Sequence, residues 1–366
     1  MDAARLRAAF PVLEQTAYLN AGTCGPVPAA AHRAAVEAWR FGTEVGRSGA
    51  YYGRLIDLAS ALRARYARVL GADVADVALT GGTSDGCGRV VAGLSLGAGD
   101  EVLTADDEHP GLQGPLIAAR DQRGVTVRAV PLEDIPDAVG PSTRLVACSH
   151  VSWHSGAVAP VAAIVAAARE FDVPVLLDGA QGVGAVPAVV EELGVSFYAC
   201  SGQKWLCGPV GAGMLWVDPA WRERLLAMAP AYGGLADTSL GLDGTVAPDA
   251  RRFDLPSQDL SVIAAAVAAF DVLDEAGFSE LQAAAISRAA GLAAQLRAAG
   301  FDVLPRGDST LVAWRVADDA EAVARRDALE AAGVIVRDLP GTGRLRASVG
   351  AWNDEDDLQR LLTGLR

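Results

Sequence analysis

The chain is poor in soft metal ligands and in paired cysteines. Among its 366 residues there are five cysteines and four histidines. Cys24, Cys87, Cys148, Cys200 and Cys207 are scattered and odd in number, without the spacing of a disulfide framework or a zinc module. This implies a reduced, cytoplasmic setting. Cys148, His150 and His154 stand close together in the sequence, but no second cluster completes a metal site, so no metal is expected. Basic charge is also scarce. A net charge of -14 argues against nucleic acid or an anionic membrane as partner, because a phosphate surface needs a basic footprint. No apolar run is long enough to span a bilayer: the longest suspect, Leu260 to Phe270, is bracketed by Asp259 and Asp271. The N-terminal stretch lacks the basic segment, apolar core and cleavage site of an export signal. A G-x-S-x-G elbow, a P-loop lysine, a dinucleotide fingerprint and an internal repeat are all missing, which weighs against the corresponding hydrolase, nucleotide-binding and repeat classes.

What the chain does have is alternation. Short apolar runs at 76–80, 101–104, 125–130, 145–149, 175–178, 195–199 and 214–217 are separated by helical stretches or glycine-rich loops, the pattern of a mostly parallel sheet covered on both faces. Further helices are expected at 29–40, 54–70, 220–228, 260–275, 279–299 and 319–332, with a final one at 353–366 capped by Asn353. The later part reads as helices on one side of a small sheet. The expected division is a large α/β domain over 15–255 and a smaller α+β domain formed by 1–14 and 256–366.

The chemistry-bearing residues sit where those runs end. Asp178 closes one run; Ser201, Gln203 and Lys204 follow the next, in SGQK. The stretch TGGTSDG puts Gly82, Thr83 and Ser84 between a strand and a helix start, where orphan amides and the helix dipole favour a phosphate. His109, Trp153 and Gln181 offer flat or polar groups able to cover a ring. Taken singly, Thr83 is equally well a helix cap, Asp178 a turn residue and Lys204 a surface charge. Together they are the inventory of a pyridoxal 5'-phosphate (PLP) site: donors for the phosphate, an acid for the pyridine nitrogen and an amine for the aldehyde.

Five stretches carry a wider resemblance: Ala17 to Pro28, TGGTSDG, GDEVLTADDEHP, SHVSWHSGAVAPV and LLDGAQGVGAVPAVVEELGVSFYACSGQKWLCGPVGAGMLWV, followed by LRASVGAWNDEDDLQRLL. With these motifs in this order, the chain resembles the class V aminotransferase family of fold type I PLP enzymes, which includes cysteine desulfurases and isopenicillin N epimerase-like proteins. The resemblance implies a three-layer large domain and a homodimer with sites at the interface. It also implies a small amino-acid substrate. By position, Lys204 would form the Schiff base and shuttle protons, Asp178 would pair with the pyridine nitrogen, and Gln181 would bond the phenolic oxygen. Thr83 and Ser201, with Gly82, Ser84 and Gln203, would hold the phosphate, while His109 and Trp153 would cover the ring. Arg346 would grip the substrate carboxylate, with Asn20 and Trp153 beside it. Ser257 would reach the partner subunit's phosphate. Gln203 and Trp153 replace the histidine and asparagine usual in desulfurases, and VIVRDLPGTGRLRAS lacks the desulfurase cysteine. The expected reaction is therefore β-elimination, a C–S lyase acting on an S-substituted cysteine, with aminotransfer or epimerisation as the alternative and desulfuration below both.

Overall fold

The computed structural model describes residues 3–366. Its strands are β1 (Ala17–Tyr18), β2 (Val77–Thr80), β3 (Glu101–Ala105), β4 (Thr126–Val130), β5 (Thr143–Ser149), β6 (Val175–Asp178), β7 (Phe197–Ser201), β8 (Gly213–Val217), β9 (Leu311–Arg315), β10 (Val334–Ile335), β11 (Arg337–Leu339) and β12 (Arg344–Ser348). Seven of them form one sheet in the order β2-β8-β7-β6-β5-β3-β4. Only β8 runs against its neighbours, pairing antiparallel with both β2 and β7, and the remaining pairs are parallel. This is the mostly parallel α/β architecture that the alternation of runs and helices predicts.

Strand period accounts for the two cores. Leu103, Val146, Cys148, Leu177, Tyr198 and Met214 point to one face, where they meet Leu62, Tyr66, Ile164, Ile263 and Phe270. Their chain neighbours Val102, Leu145, Ala147, Leu176, Phe197, Ala199 and Leu215 point to the other, against Cys87, Val90, Leu112 and Leu116. Both faces are therefore dry, as parallel strands require, and β6 to β8 are buried at every position. Burial of this kind contributes about 25 cal/mol per Å² of apolar surface removed from water.

A three-stranded antiparallel sheet, β11-β12-β9, packs with helices Phe278–Ala298, Asp319–Ala331 and Glu355–Gly364 around Leu292, Leu296, Val312, Trp314 and Leu345. The N-terminal segment threads into this unit, with β1 parallel to β10 and Asn20 bridged to Ser348. Two local expectations are corrected. Residues 220–228 do not form a helix: a short 3-10 turn, Pro219–Trp221, is all that is regular, and Leu225 with Ala227 packs instead against the core of the sheet. Strands β10 and β11 are separate although close in sequence, the first pairing with β1 and the second with β12. The last helix starts at Glu355 and its cap is Asp354, which forms a capping box with Asp357. Asn353 turns inward, its amide nitrogen donating to Asp357 and to the Tyr18 carbonyl.

Candidate active site

The carboxyl ends of the parallel strands open on one cavity of about 260 Å³, where an open α/β sheet places its ligand. Asp178 reaches it from the end of β6 and Ser201 from the end of β7; Gln203 and Lys204 follow on the next turn. Thr83 and Ser84 come from the start of helix Thr83–Gly93, and Arg346 comes from β12. His109, Trp153 and Gln181 also line it.

The phosphate-type corner is built from two distant segments. Ser201 Oγ lies 2.7 Å from Thr83 Oγ1 and accepts the Thr83 amide at 3.0 Å. Gly82 caps the helix at φ +147°, a conformation that side-chain-bearing residues rarely adopt, so the tight entry to the helix requires glycine. Hydroxyls and free helix amides thus converge on one point, which suits an anion.

Asp178 is 5 % exposed, and one carboxylate oxygen accepts the Ala180 amide at 2.9 Å. Burial raises its pKa, and the nearby Lys204 opposes that rise. Burial lowers the pKa of Lys204, with Asp178 opposing and Arg346 adding to the fall. The lysine is thereby biased towards the free amine, the form that acts as nucleophile and base. Its loop is held by Gly25, whose amide donates to the Gln203 carbonyl at 2.7 Å; a Cβ on Gly25 would lie 2.1 Å from the Lys204 carbonyl oxygen.

Three groups form the walls. His109 Nδ1 accepts the Gly111 amide and caps helix Pro110–Arg123, which leaves Nε2 as the protonated nitrogen of a neutral ring. Its pKa falls to about 4, through burial first and then the cations Lys204, Arg346 and Arg337. Trp153 meets it edge-on at 5.2 Å and donates from Nε1 to the Asp107 carbonyl. Gln181 is fixed at both ends: Nε2 donates to the Gly22 carbonyl and Oε1 accepts from Trp205. One Nε2 proton stays available. Arg346 is 2 % exposed and donates to the Trp153 carbonyl at 2.7 Å and to Thr23 Oγ1 at 3.3 Å. Burial, aided by Arg337, brings its pKa down to about 9.

Not every expected residue gathers here. Asn20 does not line the cavity; its Oδ1 is buried beside Ser348 without a partner. Ser257 lines a different cavity, with Leu62, Thr80 and Gly213. Gly82 acts through the backbone of the corner. Conversely Gly22, Thr23, Ala180, Arg337 and Leu339 line the cavity and were missed, because nothing about an isolated arginine on a short strand signals a site.

The residues fit PLP. Besides the hydroxyl-amide corner and the acid-lysine pair, Gln203 Oε1 and Arg346 Nε belong to lining residues and are buried with no hydrogen-bond partner, polar capacity left for a polar ligand. The sequence pattern described as aminotransferase class-V matches residues 18–361. The chain belongs to the class V aminotransferase family. It is a PLP-dependent enzyme of that family. The curated relatives include a probable cysteine desulfurase of Pseudomonas aeruginosa, 32% identical over 83% of this chain and 81% of the relative. They also include the cysteine desulfurase CsdA of Escherichia coli, 28% identical over 99% of this chain and 96% of the relative. Among solved structures, a lysine-to-alanine variant of C-DES with glycine covalently linked to its PLP cofactor superposes with a TM-score of 0.93 at 28% identity, covering 98% of both chains. C-DES is also known, as a cystine C–S lyase, in complex with its product cysteine persulfide.

These relatives correct the expected reaction. Desulfuration was ranked below β-elimination from an S-substituted cysteine, aminotransfer and epimerisation, whereas the curated family members matched along the chain are cysteine desulfurases. That expectation rests on Gln203, Trp153 and the absent cysteine together. That absence removes one possible sulfur acceptor, while the acid, the lysine and the arginine still line the one cavity. Among the described residues no helix is long and apolar enough to cross a membrane.

Proposed function

We propose that this class V aminotransferase family member is a cysteine desulfurase: it removes sulfur from L-cysteine and releases alanine, with PLP held in the cavity between β6, β7 and β12. The observation that carries the reading is the convergence of Lys204, Asp178, the Thr83–Ser201 corner and Arg346 on that one cavity, in a chain whose relatives are desulfurases. When bound, PLP supplies an electron sink for negative charge developing at the substrate α-carbon.

The chain's own residues do the rest. Thr83, Ser84, Ser201 and the amides at the helix start hold the phosphate, with Gln203 beside them. Asp178 would keep a proton on the pyridine nitrogen, Gln181 would offer its free Nε2 proton to the phenolic oxygen, and His109 and Trp153 would wall the ring. Arg346 grips the α-carboxylate with its planar fork, which orients the substrate for proton transfer. Lys204 would hold the cofactor through its amine, and that same amine is placed to take a proton from the substrate α-carbon and to return one. A homodimer is part of the reading. Exposed apolar residues Trp39 and Ile56 on helices Ala29–Val45 and Gly49–Leu70 suit an interface, and Ser257, exposed outside the main cavity, is free to reach the phosphate of the partner subunit. The division into 15–255 against 1–14 with 256–366 and a cytoplasmic setting belong to the same reading.

The test of cofactor placement is direct. PLP-loaded protein reduced with borohydride and digested should carry the pyridoxyl group on the peptide containing Lys204, and Lys204→Ala should carry none. A label on another lysine would overturn the assignment.

A further inference from the structure

Sulfur taken from cysteine must go to an acceptor, and the cavity wall holds no thiol: none of the five cysteines lines it. Cys87, Cys148, Cys200 and Cys207 are buried, and burial pushes their thiols well up, Cys200 to about 12. Cys24 is half-buried and follows the wall residues Gly22 and Thr23 without joining them. The strands β11 and β12 that overhang the opening carry no cysteine at all.

They carry arginine instead. Arg337 stands directly opposite Arg346 across the β11–β12 ladder, so both guanidiniums rise from one face of the sheet. Like charges in that relation repel. Arg337 nonetheless lines the cavity, exposed at its rim, and no side chain among the described residues hydrogen-bonds or ion-pairs with it. Arg346 is spoken for, buried and anchored on Trp153 and Thr23. A second guanidinium, uncompensated and facing the same opening, is suited to an anion other than the one Arg346 holds.

We infer that Arg337 is the binding residue for the sulfur acceptor, a small thiol carrying a carboxylate that enters from solvent. The inference rests on the desulfurase reading above. In the transfer, the acceptor's thiolate sulfur bonds to the substrate sulfur while the substrate Cβ–S bond breaks. The electron pair of that bond goes to Cβ, which takes up a proton to become the methyl group of alanine, and the acceptor departs as a persulfide. Sulfur rises from thiol to sulfane level as the carbon is reduced, so no outside oxidant or reductant is needed. Arg337 positions the acceptor by its carboxylate and leaves the thiol free to point inward.

The experiment uses the PLP-loaded enzyme with L-cysteine and compares two acceptors, mercaptopropionate and its uncharged amide, measuring alanine release and the mass of both thiol and protein. The acid should show a KM about five- to tenfold below the amide, the size expected for a partly screened charge-assisted pair. Arg337→Gln should bring that ratio close to one, and Arg337→Lys should restore part of it. The sulfane sulfur should appear on the small thiol. Equal KM values in the wild type, a ratio unchanged in Arg337→Gln, or a gain of one sulfur mass on the peptide containing Cys24 would overturn the inference. Those outcomes leave alanine formation standing, whereas no alanine with either acceptor or with dithiothreitol would sink the desulfurase reading itself.

Discussion

The Ser201 hydroxyl, at the end of β7, accepts the backbone amide of Thr83 at 3.0 Å and sits 2.7 Å from its hydroxyl, tying the strand that leads into the lysine turn to the first turn of helix Thr83–Gly93. Residues 118 positions apart thus share one anion corner. Ser201→Ala deletes one donor to a phosphate and loosens the seam. The expected result is an about tenfold weaker affinity for PLP, one charge-assisted hydrogen bond, measured by titrating the cofactor into apo protein.

Arg346 presents a fixed fork, and a lysine at that place gives a point charge on a flexible stem. Arg346→Lys should lower kcat/KM for L-cysteine by about ten- to a hundredfold, mainly through KM, because the contact exists before as well as during the reaction. Steady-state kinetics on alanine release decides it.

Glu108 lies behind Asp178, its carboxyl accepting both the Ser149 amide at 2.7 Å and the Ser149 hydroxyl at 2.5 Å. Its pKa rises to about 8, through burial first, with the Ser149 hydroxyl opposing and Asp178 adding to the rise. A folded-state pKa above the unfolded value means that the protonated form is favoured in the fold. Stability from this group is therefore complete below about pH 4.5 and is lost as pH climbs through about 8. Glu108→Gln keeps the shape and removes the ionisation. The variant should be more stable than wild type at pH 8, by about 2 kcal/mol, with the advantage fading towards pH 5. Denaturant titrations at both pH values check the sign.

Gly25 tests how tightly the lysine loop is held. A Cβ there would stand 2.1 Å from the Lys204 carbonyl oxygen and 3.0 Å from Cys207 Sγ, and both atoms belong to a turn in which Cys207 already takes φ +54°. Gly25→Ala has no room to relax without moving Lys204. A loss of roughly 2 kcal/mol in stability is expected, together with impaired attachment of PLP, readable from the borohydride-trapped fraction.

The layout of the large sheet was legible because buried parallel strands announce themselves as short apolar runs, and Asp178, Ser201 and Lys204 stand where those runs stop. Helix positions followed from periodicity wherever a stripe faced a core. Residues 220–228 misled for a related reason: alanine and leucine have high helix propensity, and here Leu225 and Ala227 pack on the core from irregular backbone. Asn353 was a plausible cap one residue early, and the better-placed Asp354 won through its reciprocal bond with Asp357. Arg337 could not have been found in advance. Its meaning comes from its register opposite Arg346, a relation between strands that periodicity along either one does not report. Ser257 shows the opposite case, a motif position that the fold sends to another cavity.

The most direct test of the central claim is the carbon product. PLP-loaded protein given L-cysteine and a reducing thiol should release alanine and sulfane sulfur or sulfide in equal amounts, with Lys204→Ala inactive. Pyruvate and ammonia in place of alanine would contradict the desulfurase account.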